Sequence, residues 1–229
     1  ASKPVFLTKI FVFSSEIKGI YSSDIKLELD KNKFLLNAKV LEGTFTTIFK
    51  NVDIVPPGSY FIFDLKSFKM KKERWWHTLD NFPSISVNLS SIKENLKQLL
   101  IEATQERLIA DVKIATSLSG GVDSSIIFSI LNQINKKSNL DLNPFILKYD
   151  QNKTFDDAIK LSDYFKKKPY VIKADDKYAE NITKKLSSIE IVEPYFNQLA
   201  IYKAQKEKGF KVSIDGHGAD ESLGGYDHD

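Results

Sequence analysis

Two glycine-rich runs hold the side chains with chemistry in them. The first, Ser117-Leu118-Ser119-Gly120-Gly121-Val122-Asp123-Ser124-Ser125, follows the short apolar segment Ile114-Ala115-Thr116. It leads into an apolar helical pattern through Ile126, Ile127, Ile130 and Leu131. Two glycines between a strand and a helix let the backbone come close to an anion, and the N–H groups of such a loop and of the helix N-terminus bind phosphate. Asp123 adds a carboxylate where a phosphate-bound magnesium would sit. The second run is Asp215-Gly216-His217-Gly218-Ala219-Asp220-Glu221, closed by Gly224-Gly225-Tyr226. Asp220 is a second candidate magnesium carboxylate, because Mg²⁺ is commonly held by one or two carboxylates plus phosphate oxygens. No Gly-x-x-x-x-Gly-Lys occurs, which excludes the common P-loop.

The elements that must position these loops are legible in the apolar pattern. Strands are expected at Lys113–Leu118, Phe145–Tyr149, Tyr170–Lys173 and Lys211–Ile214. Helices are expected at Ser124–Asn135, Asp156–Phe165, Tyr178–Ser187 and Gln198–Lys208. Such alternation predicts an α/β fold with a parallel sheet covered on both faces, and ligands in these sheets sit beyond the carboxyl ends of the strands. Both glycine-rich loops follow strands and so face one crevice. Ahead of them, Ser91-x-x-Glu94 fits a capping box, and Ile92, Leu96, Leu99, Leu100 and Ala103 recur at helical spacing. That helix is expected to run to about Ala110 and to bury one face. Residues 80–90 read as a linker. The part before it reads as β-rich, with Phe11-Val12-Phe13 and Tyr60–Leu65 as strands and a tight turn at Pro56-Pro57-Gly58. Trp75 and Trp76 read as packing at a domain edge.

Composition narrows the class. A chain of 229 residues holds one large or two small domains. The formal net charge is only +3, so the lysine runs read as solvated faces and no nucleic-acid partner is expected. Cysteine is absent, which rules out a disulfide, a thiolate metal site and a cysteine nucleophile within the chain. No apolar run approaches membrane-spanning length and no charged-then-apolar leader opens the sequence, so neither a membrane nor an export route is expected, and the setting is taken as cytoplasmic.

The form Ser-Gly-Gly-x-Asp-Ser resembles the pyrophosphate loop of ATP pyrophosphatases. Together with Gly216-x-Gly218-x-Asp220-Glu221 and Gly224-Gly225-Tyr226, it resembles the synthetase domain of glutamine-dependent asparagine synthetases. Phe11 to Lys18, Phe49-Lys50-Asn51-Val52 and Pro56 to Tyr60 resemble stretches near the end of that family's glutaminase domain, and Lys3-Pro4 matches a further point there. The resemblance implies a fragment. Residues 1–80 would be the C-terminal part of a glutamine amidotransferase domain, a β-rich remnant of an N-terminal-nucleophile fold. Residues 90–229 would be the N-terminal half of the ATP-pyrophosphatase domain. Family members begin with a catalytic cysteine ahead of the point matching Ala1, and a helical stretch past the Gly-Gly-Tyr supplies a lysine used on the phosphates. A sheet domain divided halfway exposes apolar surface, so the fragment is expected to be poorly soluble.

The resemblance also implies roles. Ser119, Gly120, Gly121 and Ser124 would contact phosphate; Asp123 and Asp220 would hold Mg²⁺. Leu118, Leu147, Asp215 and Gly216 match positions lining the family's nucleotide pocket. The acceptor carboxylate would attack the α-phosphorus of ATP, and ammonia would displace AMP from the acyl-adenylate. His217 departs from the acidic residue many asparagine synthetases carry there, and Asp215 replaces a common serine; both bear on the acceptor. The expected small-molecule partners are ATP, aspartate or another carboxylate, and glutamine-derived ammonia, with a homodimer left open. A ring-closing or related ligase acting on another carboxylate, and a non-catalytic nucleotide-binding remnant, stay open as alternatives. His228 with Asp227 and Asp229 is a weak metal pattern.

Overall fold

A computed structural model of the chain describes residues 11–23, 25–39, 47–81, 88–135, 142–148, 154–173 and 196–225. These fall into two compact units, one of described residues up to Asn81 and one from Asn88 onward. The helix expected at Tyr178–Ser187, along with Tyr149, Tyr226 and the Asp227-His228-Asp229 pattern, lies outside the described residues.

The first unit holds helices α1 (Ile17–Tyr21) and α2 (Lys31–Lys39) and a hairpin of β1 (Ser59–Asp64) and β2 (Lys69–Arg74). The hairpin pairs Ser59 with Arg74 through Asp64 with Lys69. Pro56-Pro57-Gly58 forms the expected turn. Gly58 has φ +63°, and a side chain there would run into the Trp76 carbonyl. Its own carbonyl accepts from the N–H groups of Trp75 (2.8 Å) and Trp76 (3.1 Å). Phe11-Val12-Phe13 is not a strand. Its apolar character serves ring packing instead: Phe11 stacks on Phe63, with centroids 4.3 Å apart and planes 6° apart.

The second unit opens with α3 (Leu89–Glu106). Asn88 is its cap, the side-chain oxygen accepting from Ser90 N (2.9 Å) and Ser91 N (3.4 Å). Asparagine caps as well as serine does, so the start falls three residues ahead of the Ser91 box. The helix ends at Glu106 rather than Ala110, and its apolar face is not buried among the described residues: Ile92, Leu96 and Leu99 are 36%, 37% and 62% exposed.

Alternating strands and helices follow: β3 (Ile114–Ala115), α4 (Val122–Asn135), β4 (Phe145–Lys148), α5 (Phe155–Tyr164), β5 (Tyr170–Lys173), α6 (Phe196–Glu207), β6 (Val212–Ser213) and α7 (Ala219–Leu223). β3 pairs with β6 and β4 with β5, both parallel. A parallel bridge from Ser117 to Phe145 joins the two pairs, with Leu118 N donating to Phe145 O and Phe145 N to Thr116 O, each at 2.9 Å. The strand order is therefore β6–β3–β4–β5. Parallel strands buried on both faces read as continuous apolar runs, and Phe145-Ile146-Leu147 is such a run, each residue at most 6% exposed. Ile146 and Leu118 pack with Phe128 of α4 and Ala158 of α5 on one face. Phe145 and Ala115 pack with Phe210, Ile201 and Ala204 on the other. This is the expected α/β architecture, a parallel sheet between helical layers.

Candidate active site

The sheet ends leave β3 and β6, neighbours in space, each running directly into one of the glycine-rich loops. The loop after β3 turns at Gly120, whose φ is +86° and where a side chain would strike the Thr154 carbonyl and lie 3.0 Å from Ala158 N. Only glycine suits both the conformation and the approach. Ser119 and Ser124 close the loop on itself. Their hydroxyls are 2.9 Å apart, Ser119 N donates to Ser124 Oγ (3.2 Å), and Gly121 N donates to Ser119 Oγ (3.3 Å). From the N-cap position of α5, the Thr154 hydroxyl donates to Ser119 O at 2.5 Å. The chain then enters α4, whose first turn carries Asp123. A first helical turn presents N–H groups without intrahelical acceptors, which suits an anion.

The loop after β6 is held to the same strand end. Asp215 Oδ1 accepts from Ser117 N (2.7 Å) and from the Ser213 hydroxyl (3.0 Å). Beneath them Gln205 of α6, 4% exposed, donates to the hydroxyls of Ser117 (3.2 Å) and Ser213 (3.0 Å). Gly216 brings the loops into backbone contact: a Cβ there would lie 2.8 Å from Asp123 C and Ser124 N. Gly218, at φ +86°, starts the short helix α7, which carries Asp220 and Glu221. Gly224 N and Gly225 N both donate to Asp220 O, and the Asp220 carboxyl packs where a Gly225 side chain would be.

One cavity of about 420 Å³ lies over these loops, within the range of about 300–1,000 Å³ usual for small-molecule sites. It brings together Leu118, Ser119, Asp123, Ser124, Leu147, Asp215, Gly216, His217 and Asp220. Gly120 and Gly121 shape the loop but are not among its lining residues. Ser117, Thr154, Asn197, Gln198 and Ile201 also line it, and sequence reasoning did not single them out as site residues. On α6, Gln198, Tyr202 and Gln205 share a stripe at i, i+4, i+7 spacing, a polar face where a buried helix ought to be apolar; that stripe is the signal that was available. The Asn197 Oδ1 is buried with no hydrogen-bond partner among the described residues.

The charged lining is acidic: Asp123, Asp215, Asp220 and Glu221, with neither lysine nor arginine among the lining residues. No group of three or more His, Asp or Glu side chains forms a metal cluster among the described residues. At the far side, His217 Nε2 is 2.9 Å from Gln198 Oε1, and Gln198 Nε2 donates to the Tyr202 hydroxyl at 2.6 Å. Burial raises the Tyr202 hydroxyl above the ordinary phenol value; the donated Gln198 bond opposes this, while the negative charge of Asp215 adds to the rise.

Residues 95–229, the span that holds both loops and all these contacts, match the asparagine synthase family. The chain belongs to the asparagine synthase family. The resemblance read from the two loops is thus shown. Asparagine synthetase [glutamine-hydrolyzing] 3 of Bacillus subtilis is 26% identical over 249 residues, covering 98% of this chain and 39% of that protein. Amidase chry2 of Gibberella zeae is 28% identical over 203 residues, covering 80% of this chain and 30% of that protein. Among solved structures, an NH3-dependent NAD synthetase from Campylobacter jejuni aligns with a TM-score of 0.42 at 16% identity, over 58% of this chain and 60% of that one. The chain spans 30–43% of the length of the first curated relatives it matches. No helix among the described residues is long and apolar enough to cross a membrane.

Proposed function

We propose that the chain supplies the ATP-activating part of an AMP-forming ligase that amidates a carboxylate, with aspartate as the first acceptor and glutamine-derived ammonia as the nitrogen source. The observation that carries this reading is the pairing of the two loops. A serine-glycine loop at a helix N-terminus and an acidic loop from the adjacent strand line one cavity, tied by Asp215 to Ser117. The loop N–H groups with Ser119 and Ser124 bind the polyphosphate. A triphosphate entering a cavity whose charged lining is all acidic needs a cation, so the donor set fits magnesium. Asp123 and Asp220 are the residues that would hold it. When bound, Mg²⁺ neutralises charge on the leaving pyrophosphate.

In the first step an acceptor carboxylate oxygen attacks the α-phosphorus, the bond to the pyrophosphate oxygen breaks, and an acyl-adenylate forms, β-aspartyl-adenylate in the case of aspartate. Ammonia then attacks the acyl carbon, AMP leaves with the bonding pair, and the nitrogen gives up a proton. The residues that do this work are the preorganised loop donors, which stabilise charge where it develops, and the loop–loop packing, which fixes the in-line geometry. Leu118 and Leu147 form the apolar wall of the nucleotide site. In the complete protein, residues 1–80 are the end of a glutaminase domain and residues 90–229 the first half of the synthetase domain, in a cytoplasmic enzyme.

The test is acceptor-dependent exchange of labelled pyrophosphate into ATP by the complete protein, with aspartate set against a panel of other carboxylates. Exchange with aspartate that is lost in Asp123→Asn is the expected result. Exchange with a different carboxylate alone moves the acceptor, and absence of exchange with every carboxylate overturns the ligase reading.

A further inference from the structure

Gln205 is a polar side chain in a buried place. It follows Ala204 and stands one turn from Ile201, the α6 residues that pack with Phe145, Ala115 and Phe210, and it is itself 4% exposed. A buried amide is costly unless it is hydrogen-bonded. Its main-chain carbonyl accepts from Lys208 N (3.1 Å) and Phe210 N (3.0 Å), which anchors the residue in the last turn of α6. Its side chain reaches both strand ends, with Nε2 3.2 Å from Ser117 Oγ and 3.0 Å from Ser213 Oγ. The direction of these bonds is set from the Asp215 end. A carboxylate only accepts, so Ser213, 3.0 Å from Asp215 Oδ1, spends its one proton there. Ser213 then meets Gln205 as an acceptor, and the amide has to present its nitrogen rather than its oxygen. The same Asp215 Oδ1 takes the Ser117 N–H at 2.7 Å. β3 and β6 pair Ile114 with Val212 and Ala115 with Ser213. Just past those pairs the Ser117 N–H goes to a side chain, so side chains set how the strand ends and the two loops are spaced.

We propose that Gln205 is a positioning residue for the nucleotide site: through Ser117 and Ser213 it fixes the Asp215 carboxylate, so that this carboxylate meets a hydroxyl or amine of the nucleotide and is held off its phosphates. The nucleotide half of that statement rests on the ligase reading. Ser117 and Asp215 line the cavity, whereas Gln205 is not among its lining residues and borders, with Ser213, a second cavity of about 400 Å³. Gln205 therefore acts on a ligand through the residues it holds. A carboxylate where many asparagine synthetases carry a serine brings a full charge into a cavity that also has to take a triphosphate. Two donors on one oxygen pin that charge at the strand end. Without Gln205, Asp215 keeps the Ser117 N–H but loses the directed Ser213 hydroxyl.

The test is a double-mutant cycle in the complete protein, read by calorimetric titration with ATP and magnesium. Gln205→Met keeps the length of the side chain and removes its donors. It is expected to weaken ATP binding by about tenfold, the effect of one hydrogen bond to a charged group. In pyrophosphate exchange KM for ATP should rise while kcat stays within about twofold. In an Asp215→Ser background the same change should weaken binding by less than about twofold, because no carboxylate is left to position. Equal weakening in both backgrounds makes Gln205 a merely structural residue and overturns the proposal. Where Gln205→Met does not fold, Ser213→Ala repeats the cycle as a smaller change, expected at about fivefold with the same dependence on Asp215. Unfolding in denaturant without nucleotide reads the link by itself. Gln205→Met and Asp215→Ser should be coupled by about fivefold in the unfolding equilibrium constant, and strict additivity overturns the link. That coupling, found together with no ATP binding by the wild type, removes the nucleotide reading and leaves the positioning of Asp215 standing.

Discussion

Replacing Gly216 by alanine puts the loop–loop contact to the test. The backbone at Gly216 needs no left-handed conformation, so any penalty is steric. The added Cβ would lie 2.8 Å from Asp123 C and Ser124 N and 3.0 Å from Asp123 O, where ordinary contact begins at 3.4 Å. Those atoms are backbone and cannot swing aside as a flexible side chain does. The two loops must therefore part by about 0.6 Å. Overpacking of this kind costs about 1–3 kcal/mol. For a unit of this size, about 2 kcal/mol lowers the melting midpoint by about 4–8 °C. The same separation moves Asp123 against the acidic loop, and a misplacement near 1 Å costs about a hundredfold in rate. Pyrophosphate exchange by the complete protein should therefore fall by at least about tenfold. Gly209→Ala, between α6 and β6 and away from the cavity lining, is the matched control. Its Cβ meets nothing within 4 Å, but φ is +82°, so it carries conformational strain of about 1–2 kcal/mol with no push on Asp123. Loss of stability without loss of exchange is expected there. If Gly216→Ala melts and exchanges like wild type, the loops are not in contact and the argument fails.

Three further outcomes follow from the packing and electrostatics. Asn88→Ala should cost about 1 kcal/mol in a denaturant melt, whereas Glu94→Ala should stay within about 0.5 kcal/mol, since the cap is Asn88. Phe145→Ala should cost about 3–5 kcal/mol, because the ring is fully buried and meets Tyr170 and Phe210 at centroid distances of 4.8 and 5.4 Å. Tyr202 ionises later in the fold than its value of about 10 in an unfolded chain. Its contribution is therefore whole below about pH 10 and is lost as the pH climbs through the folded value; the gap in melting midpoint between wild type and Tyr202→Phe should hold steady to about pH 10 and then narrow.

The parallel sheet and both loops were legible because each signal is local. Glycines sit where the chain must turn tightly or touch, and buried strands have no choice but to be apolar. The helix start was misread because Ser91 and Asn88 compete for one role and spacing alone does not rank them. Phe11-Val12-Phe13 has the composition of a strand, but whether a bulky run pairs or stacks is decided by what lies opposite, here Phe63. The α6 stripe was missed for a related reason. Gln198, Tyr202 and Gln205 look like a solvated face until Asp215 and Ser117 are placed against them, and those partners stand up to 88 residues away in the chain.

The strand order has a consequence for the order of events during synthesis. Ser117 and Asp215, joined by one hydrogen bond in the finished sheet, are separated by 98 residues. At about 5–20 residues per second, the Ser119 loop leaves the ribosome about 5–20 s before β6, the strand that carries the facing loop. For that interval β3 has an open edge where β6 will dock, and the loop faces solvent with no second wall. On the proposed function, nucleotide affinity is therefore a late property of the nascent chain, and its onset marks the arrival of β6.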